Sequence, residues 1–308
     1  WRRAQRARRC QGVTTGLDAA VASFADDVGE SGPVSVMGMG TRGGAVGDVR
    51  VVSAPVGIEW IEPAEMTMRC GAGTPVAEID AALAEHGQCV AMPSMGTVGG
   101  ALAVGHSGLR RLGWGPVRDT LLQVRYVSAA GEVVKGGGPT VKNVSGFDLC
   151  RLIVGSRGTL GFIGDVILRT RPLPPHERWF SSASDPWQLL AGLYRPTSLL
   201  WNGTTTWVLL EGHPDDVAEQ ARRFALDPVE GPPDLPPHRW SVRPAALAEL
   251  AGDDDPFVAE IGVGVVHHSR MASARNPDPV VAAMNARVKA ELDPTGRLNP
   301  GVDPLSSA

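Results

Sequence analysis

Three glycine-bearing stretches carry the residues best suited to hold a ligand. The first is Gly38, Met39, Gly40, Thr41, Arg42, Gly43 and Gly44. The second runs from Gly96 through Thr97, Gly99 and Gly100 to His106, Ser107 and Gly108. The third spans residues 155–163 and includes Gly158, Thr159, Gly161, Phe162 and Ile163. Successive main-chain N–H groups in a turn that lacks side chains form a concavity that takes phosphate oxygens, and the Thr41 hydroxyl adds a donor. A short helix opening at Thr97 would aim its first amides at an anion. The chain holds 38 glycines, most of them before residue 165 and clustered between short apolar runs. Glycine costs conformational entropy on folding, so such clusters need a reason. A long, flat ligand with a diphosphate would explain all three at once.

Residues 38–43 match G-x-G-x-x-G after a strand, the fingerprint of a Rossmann dinucleotide site. The physics argues against that fold. A Rossmann loop opens a helix whose N-terminus faces the pyrophosphate. Here Gly43, Gly44 and Gly47 follow at once, too much glycine to start a stable helix.

The elements that must position these stretches follow from periodicity. Leu17, Val21, Phe24 and Val28 recur at helical spacing, giving a helix over 14–29. A short strand covers 34–37. A second helix opens at Thr74-Pro75, with Thr as cap and Pro at the first helical position, and closes at Gly87. Strands are expected at 89–92 and at 121–134, the latter as a hairpin turning at 129–132, then at 166–170, 204–210 and 261–266. Further helices are expected from Leu149 to Gly155, over 214–224 and over 280–292. Pro172, Pro174 and Pro175 mark the best domain boundary.

Composition bounds the class. Hydrophobic residues at 43% allow a sizeable core, and a formal net charge of -4 gives no reason to expect nucleic acid. The arginines at 2, 3, 6, 8 and 9 read as a frayed tail rather than a signal, since no apolar segment follows. No apolar run is long enough to span a membrane. Cys10, Cys70, Cys89 and Cys150 lack metal spacing and read as thiols of a reducing cytoplasm.

The segment Lys142-Asn143-Val144-Ser145-Gly146-Phe147-Asp148-Leu149-Cys150-Arg151-Leu152, continuing to Gly155-Ser156-Arg157-Gly158-Thr159-Leu160-Gly161, resembles the PCMH-type FAD-binding domain of the vanillyl-alcohol-oxidase superfamily, as found in FAD-binding subunits of glycolate oxidases. Ser107 to Arg111, Val117 to Asp119, Cys70 to Pro75 and the closing Asp293-Pro294 to Asn299-Pro300-Gly301 are similar too. The resemblance implies an α+β fold: a PCMH-type FAD-binding domain of two α+β subdomains over 1–174, a reduced α+β cap over 175–284, and a segment over 285–308 that returns to the first domain. Gly38 to Gly44, with Met39, Thr41 and Arg42, would wrap the FAD pyrophosphate. Thr97, Gly99, Gly100, Ser107 and Gly108 would line the pyrophosphate and the flavin side. Gly158, Thr159, Gly161, Phe162 and Ile163 would contact the adenosine half, and Asn299 would return to the flavin. The first loop has no histidine for a covalent link, so noncovalent FAD is expected.

The implied reaction is oxidation of a 2-hydroxy acid such as glycolate or D-lactate. It needs a base for the hydroxyl proton and a cation for the carboxylate. His106, Arg110 and His268 are the candidates, with Arg111 and His267 beside them. Adjacent His267 and His268 would face opposite sides of a strand, so no metal site is expected. The implied partners are a second flavoprotein subunit and an iron–sulfur subunit, with the chain cytoplasmic or held at the inner membrane face through them. The alternative is an FAD-carrying electron-transfer or structural subunit whose partner performs the chemistry.

Overall fold

The computed structural model describes residues 16–41, 43, 47–139, 148–273 and 278–304. The expectations for the arginine-rich start, for Arg42 and Gly44 and for Lys142 to Phe147 therefore lie outside the described residues. About 31% of the chain is helical and 28% is strand, an α+β architecture.

The first unit opens with α1 (Gly16–Val28), whose apolar stripe Leu17, Val21, Phe24 and Val28 is buried as its spacing requires. β1 (Val34–Val36) and β2 (Arg50–Val52) form a small parallel pair. β3 (Ile58–Glu62) and β4 (Thr67–Gly71) begin a second sheet. α2 (Val76–Ala84) follows, then β5 (Gln88–Cys89), α3 (Val98–Val104) and the single turn α4 (Arg111–Trp114). β6 (Leu121–Val127) and β7 (Val133–Gly137) form the expected hairpin. α5 (Leu149–Ile153), β8 (Phe162–Arg169) and β9 (Arg171–Pro172) complete the unit. Its main sheet is antiparallel in the order β3-β4-β8-β6-β7. The core between this sheet and the helices is Met68, Ile79, Leu83, Leu102, Ile153 and Leu168, all fully buried.

The second unit is a seven-stranded antiparallel sheet. Its strands are β10 (His176–Ser182), β11 (Ser198–Trp201), β12 (Thr206–Gly212), β13 (Asp227–Val229), β14 (His238–Ser241), β15 (Phe257–Glu260) and β16 (Val265–His268). They lie in the order β13-β10-β12-β11-β15-β16-β14. Between them, α6 (Pro186–Gly192) and α7 (Pro214–Arg223) cover one face, over Phe180, Leu199, Val208, Leu210 and Val266. α8 (Pro279–Leu292) leads to the closing segment.

Four expectations need correction. Thr74 is fully buried but does not cap α2. Its hydroxyl binds Gly57 instead, and Pro75 holds the cap position. The strand expected at 89–92 is reduced to Gln88–Cys89. The apolar run 261–266 is not one strand: 261–264 is a turn, and only Val265 and Val266 belong to β16. Gly262 and Gly264, at φ +78° and +83°, fold its first four residues into the turn between β15 and β16. The glycine stretch at 161–163 is the start of β8, which begins four residues earlier than the expected 166.

Candidate active site

The glycine stretches converge. Gly38, Met39, Gly40, Thr41 and Gly43 from the first, Thr97, Gly99 and Gly100 from the second, Gly158, Gly161, Phe162 and Ile163 from the third, and Asn299 from the closing segment all line one cleft of about 580 Å³. Val36, Ser53, Ala54, Ala72, Ala103, Val104 and Arg157 line it with them. That volume lies within the range of small-molecule and cofactor sites.

The first stretch offers bare main chain. Gly40 and Gly43 have φ of +70° and +104°, and a Cβ on either would meet nothing within 4 Å, so the loop stands open to the cleft. Among the described residues no protein acceptor takes the N–H groups of Gly38, Met39 and Gly40. This is the nest of donors that phosphate oxygens require.

The second stretch differs from its expected role. Thr97 caps α3 by accepting from Gly100 N at 3.2 Å. Val98 N donates to Thr74 O at 3.0 Å and Gly99 N to Ala72 O at 2.7 Å. The first amides of α3 are thus consumed within the protein, and the expectation that they aim at an anion is overturned. Gly99 is small for the same reason: a Cβ there would stand 2.9 Å from the Ala72 carbonyl oxygen. Gly38 is small because its Cβ would meet the Thr97 hydroxyl at 2.8 Å. These two glycines let segments pack; Gly40 and Gly43 leave space.

The closing segment fixes the cleft. Val34 N donates to Arg297 O at 3.0 Å and Asn299 N to Val34 O at 2.9 Å, adding a parallel bridge beside β1. The Asn299 side chain accepts from Val36 N at 3.2 Å and donates to Arg157 O at 2.7 Å. Its amide therefore ties the first stretch to the third. The buried Arg297 guanidinium donates five hydrogen bonds, to the carbonyls of Val28, Gly29, Ser31, Gly32 and Ala129. Four of these belong to the end of α1 and the turn after it. Lys289 Nζ reaches Thr159 O at 2.7 Å and Asp293 Oδ2 at 2.5 Å. Burial works against the Asp293 carboxylate, but Lys289 and the amides of Leu298 and Arg297 outweigh it and hold its pKa below the usual carboxylate value. Sequence reasoning quoted the closing motif from Asp293 to Gly301 but gave a role only to Asn299, leaving Asp293 and Arg297 without one and missing Lys289. The signal was a polar residue every two to four positions after an otherwise ordinary helix.

Other named residues lie away from the cleft. Ser107 Oγ accepts from Val117 N at 3.0 Å, and Gly108 O accepts from Arg111 N at 3.1 Å, so both serve the α4 connection. Thr159 is buried, its hydroxyl on Ser156 O at 2.7 Å. His106 is half-buried in the same connection and does not line the cleft. Arg110 bridges the two units: its guanidinium binds Glu177 at 2.7 Å and also Glu211, and stacks 4.8 Å from the Trp114 ring centroid. His268 is fully buried. It stacks on Trp240 at 4.0 Å, accepts from Arg270 N through Nδ1, and lies 3.1 Å from Asp253 through Nε2. Both its nitrogens are occupied, which removes it as a base for a substrate. His267 faces the other side of β16 and lies 3.0 Å from Glu260. Among the described residues no group of three or more His, Cys, Asp or Glu could hold a metal ion. Burial pushes the thiols of Cys89 and Cys150 up to about 11, so neither is a ready nucleophile.

Comparison with known proteins places this geometry. Residues 20–137 match the model of the FAD binding domain family. The chain is 40% identical over 123 residues to the glycolate oxidase subunit GlcE of Escherichia coli (strain K12), covering 38% of this chain and 35% of that one. It is 35% identical over 164 residues to a D-lactate dehydrogenase of Archaeoglobus fulgidus, covering 50% and 36%. The chain thus spans about a third of the length of these curated relatives. In structure it superposes on an alkyldihydroxyacetonephosphate synthase with a TM-score of 0.67 at 15% identity, over 94% of this chain and 75% of that one. The fold is shared with that protein, and residues 20–137 are similar to FAD-binding domains.

Proposed function

We propose that this chain is an FAD-dependent oxidoreductase, or the FAD-binding subunit of one, that oxidises a 2-hydroxy acid such as glycolate or D-lactate. The observation that carries the reading is the single cleft in which three separated glycine stretches and the closing segment meet. FAD fits what lines it. The free amides of residues 38–40 suit the diphosphate, and the open left-handed glycines at 40 and 43 leave room for it. Gly158, Gly161, Phe162 and Ile163 add apolar lining against which a flat ring would be held. Bound FAD supplies the two-electron acceptor for the reaction. The chain's own task is to orient the acid and keep water out. No histidine stands among the described residues that line the cleft, and we propose that FAD is held noncovalently.

A second reading keeps the cofactor and moves the chemistry. Two of the relatives are named as subunits, GlcE and GlcD. In that case the chain carries FAD within a complex, with a second flavoprotein and an iron–sulfur protein as proposed partners. Through them it would sit at the inner face of a membrane; no helix among the described residues is long and apolar enough to cross one. One experiment tests both readings. The purified chain should be yellow with a two-peaked flavin spectrum. Bleaching by glycolate or D-lactate without a partner supports the first reading, and an unbleached yellow protein supports the second. A colourless protein that takes up no added FAD overturns both.

A further inference from the structure

On β10, Glu177 turns toward Arg110 of the first unit, so His176, Arg178 and Phe180 turn the other way, beneath α7. A groove of about 390 Å³ lies on that side. Phe180, Val217 of α7 and Leu226 are its buried floor. Arg178, Arg222 and Asp227 stand exposed at its rim, with His176 half-buried beside them. None of these residues lines the glycine-bearing cleft.

The sequence keeps this groove open in two ways. Along α7, Pro214, Ala218 and Ala221 face it with short side chains that leave the space unfilled. At the sheet edge, β12 pairs with β10 over residues 176–182, but β13 only over 179–181. Pro232 and Pro233 follow β13, and proline cannot donate to a ladder. Among the described residues β10 therefore has no outer strand beside His176 and Arg178.

The charges suit an anion. Arg178 has no ion-pair partner among the described residues, and its guanidinium carbon lies 5.9 Å from the Phe180 ring centroid. Arg222 pairs with Glu219 one turn back along α7. Asp227 is the one carboxylate in the lining, against two arginines and a histidine. An exposed arginine alone is simply solvated. Here the cation lies over a buried apolar floor, in a cavity of the size that small ligands use. A guanidinium takes a carboxylate through two parallel donors. The floor takes an apolar body, and about 150 Å³ of apolar space already holds a benzene ring.

We propose that this groove binds a small organic acid with an apolar body, its carboxylate on Arg178 and Arg222 and its body on Phe180, Val217 and Leu226. The site is separate from the cleft and does not depend on the reaction assigned there. It shares β10 with the junction of the two units, because Glu177 on the other face of that strand binds Arg110.

The test is a titration of the FAD-loaded, isotope-labelled chain with hydrocinnamate, followed by amide NMR shifts. This acid has no hydroxyl and is no substrate for the proposed reaction. Saturable shifts should gather at Phe180, Val217 and Leu226. Hydrocinnamyl alcohol and acetate should each bind more weakly, since each lacks one half of the recognition. Arg178→Met should weaken the acid by about threefold or more, a modest loss because exposed ion pairs are worth little. Arg178→Lys should keep part of the affinity, and Asp227→Asn should raise it. Ala218→Leu, at an exposed helix position that accepts leucine, should fill the groove and abolish the shifts. Flavin absorbance of every variant should stay at the parent level. Shifts that gather around Gly40 and Gly100 instead put the acid in the cleft and overturn the proposal. Unchanged affinity in both Arg178→Met and Ala218→Leu overturns it too, as does a parent chain with no saturable shift at millimolar acid. A colourless chain that still shows the groove shifts overturns the cofactor reading and supports this one.

Discussion

At the scale of single residues, the glycines divide by what would stand where a Cβ is missing. Gly99→Val drives a side chain into the Ala72 carbonyl, so it should cost about 1–3 kcal/mol or more of stability before any ligand is considered. Gly40→Val places its side chain in the cleft from a left-handed residue. It should cost about 1–2 kcal/mol in the fold and weaken FAD much more than Gly99→Val does at equal folded fraction. Thermal unfolding with and without FAD separates the two. Spacing revealed that these glycines matter, but not why. Both look alike in a sequence, because the atom each one avoids lies on a different segment. Arg297 was illegible for a related reason. An arginine near a chain end ordinarily reads as solvated, and only the fold brings five carbonyls around it. Arg297→Met should lower stability by about 2–4 kcal/mol, since it leaves buried carbonyls unpaired. Urea unfolding measures that loss, and faster amide exchange at Val34 should accompany it.

At the scale of elements, periodicity located α1 and α7 closely, because each turns apolar residues inward and charged ones to water; α8 and the β6–β7 hairpin were found too, although α8 has no buried residue. Periodicity failed on β10, β11 and β14. All of β11 is buried, so nothing alternates there, and β10 and β14 carry polar residues on both faces. The cleft-forming stretches were legible and the candidate base and cation were not, since Arg110 and His268 are committed to Glu177, Glu211 and Asp253. The link between α8 and the closing segment makes a pH prediction. Asp293 has a depressed folded pKa, so its contribution is complete above the unfolded carboxylate value of about 4. It disappears as pH falls through the lower folded value. Asp293→Asn should therefore reduce stability at neutral pH and flatten the acid limb of the stability curve, measured by denaturant midpoints between pH 2 and 7.

At the scale of the whole molecule, two units are joined through few polar contacts, of which Arg110 with Glu177, Glu211 and Trp114 is the most developed. Glu211 is largely buried, so Arg110→Met would strand its charge. That variant should split the calorimetric unfolding transition into two, one for each sheet, where the parent shows a single cooperative peak. The pairing of Val34 with Arg297 and Asn299 has a further consequence for biosynthesis. β1 is bordered on one side by a segment encoded some 260 codons later, so that edge stays open until the later segment has been made. A chain stalled on the ribosome before that point would show an open strand edge to chaperones and proteases, with its cleft short of the wall that Asn299 supplies.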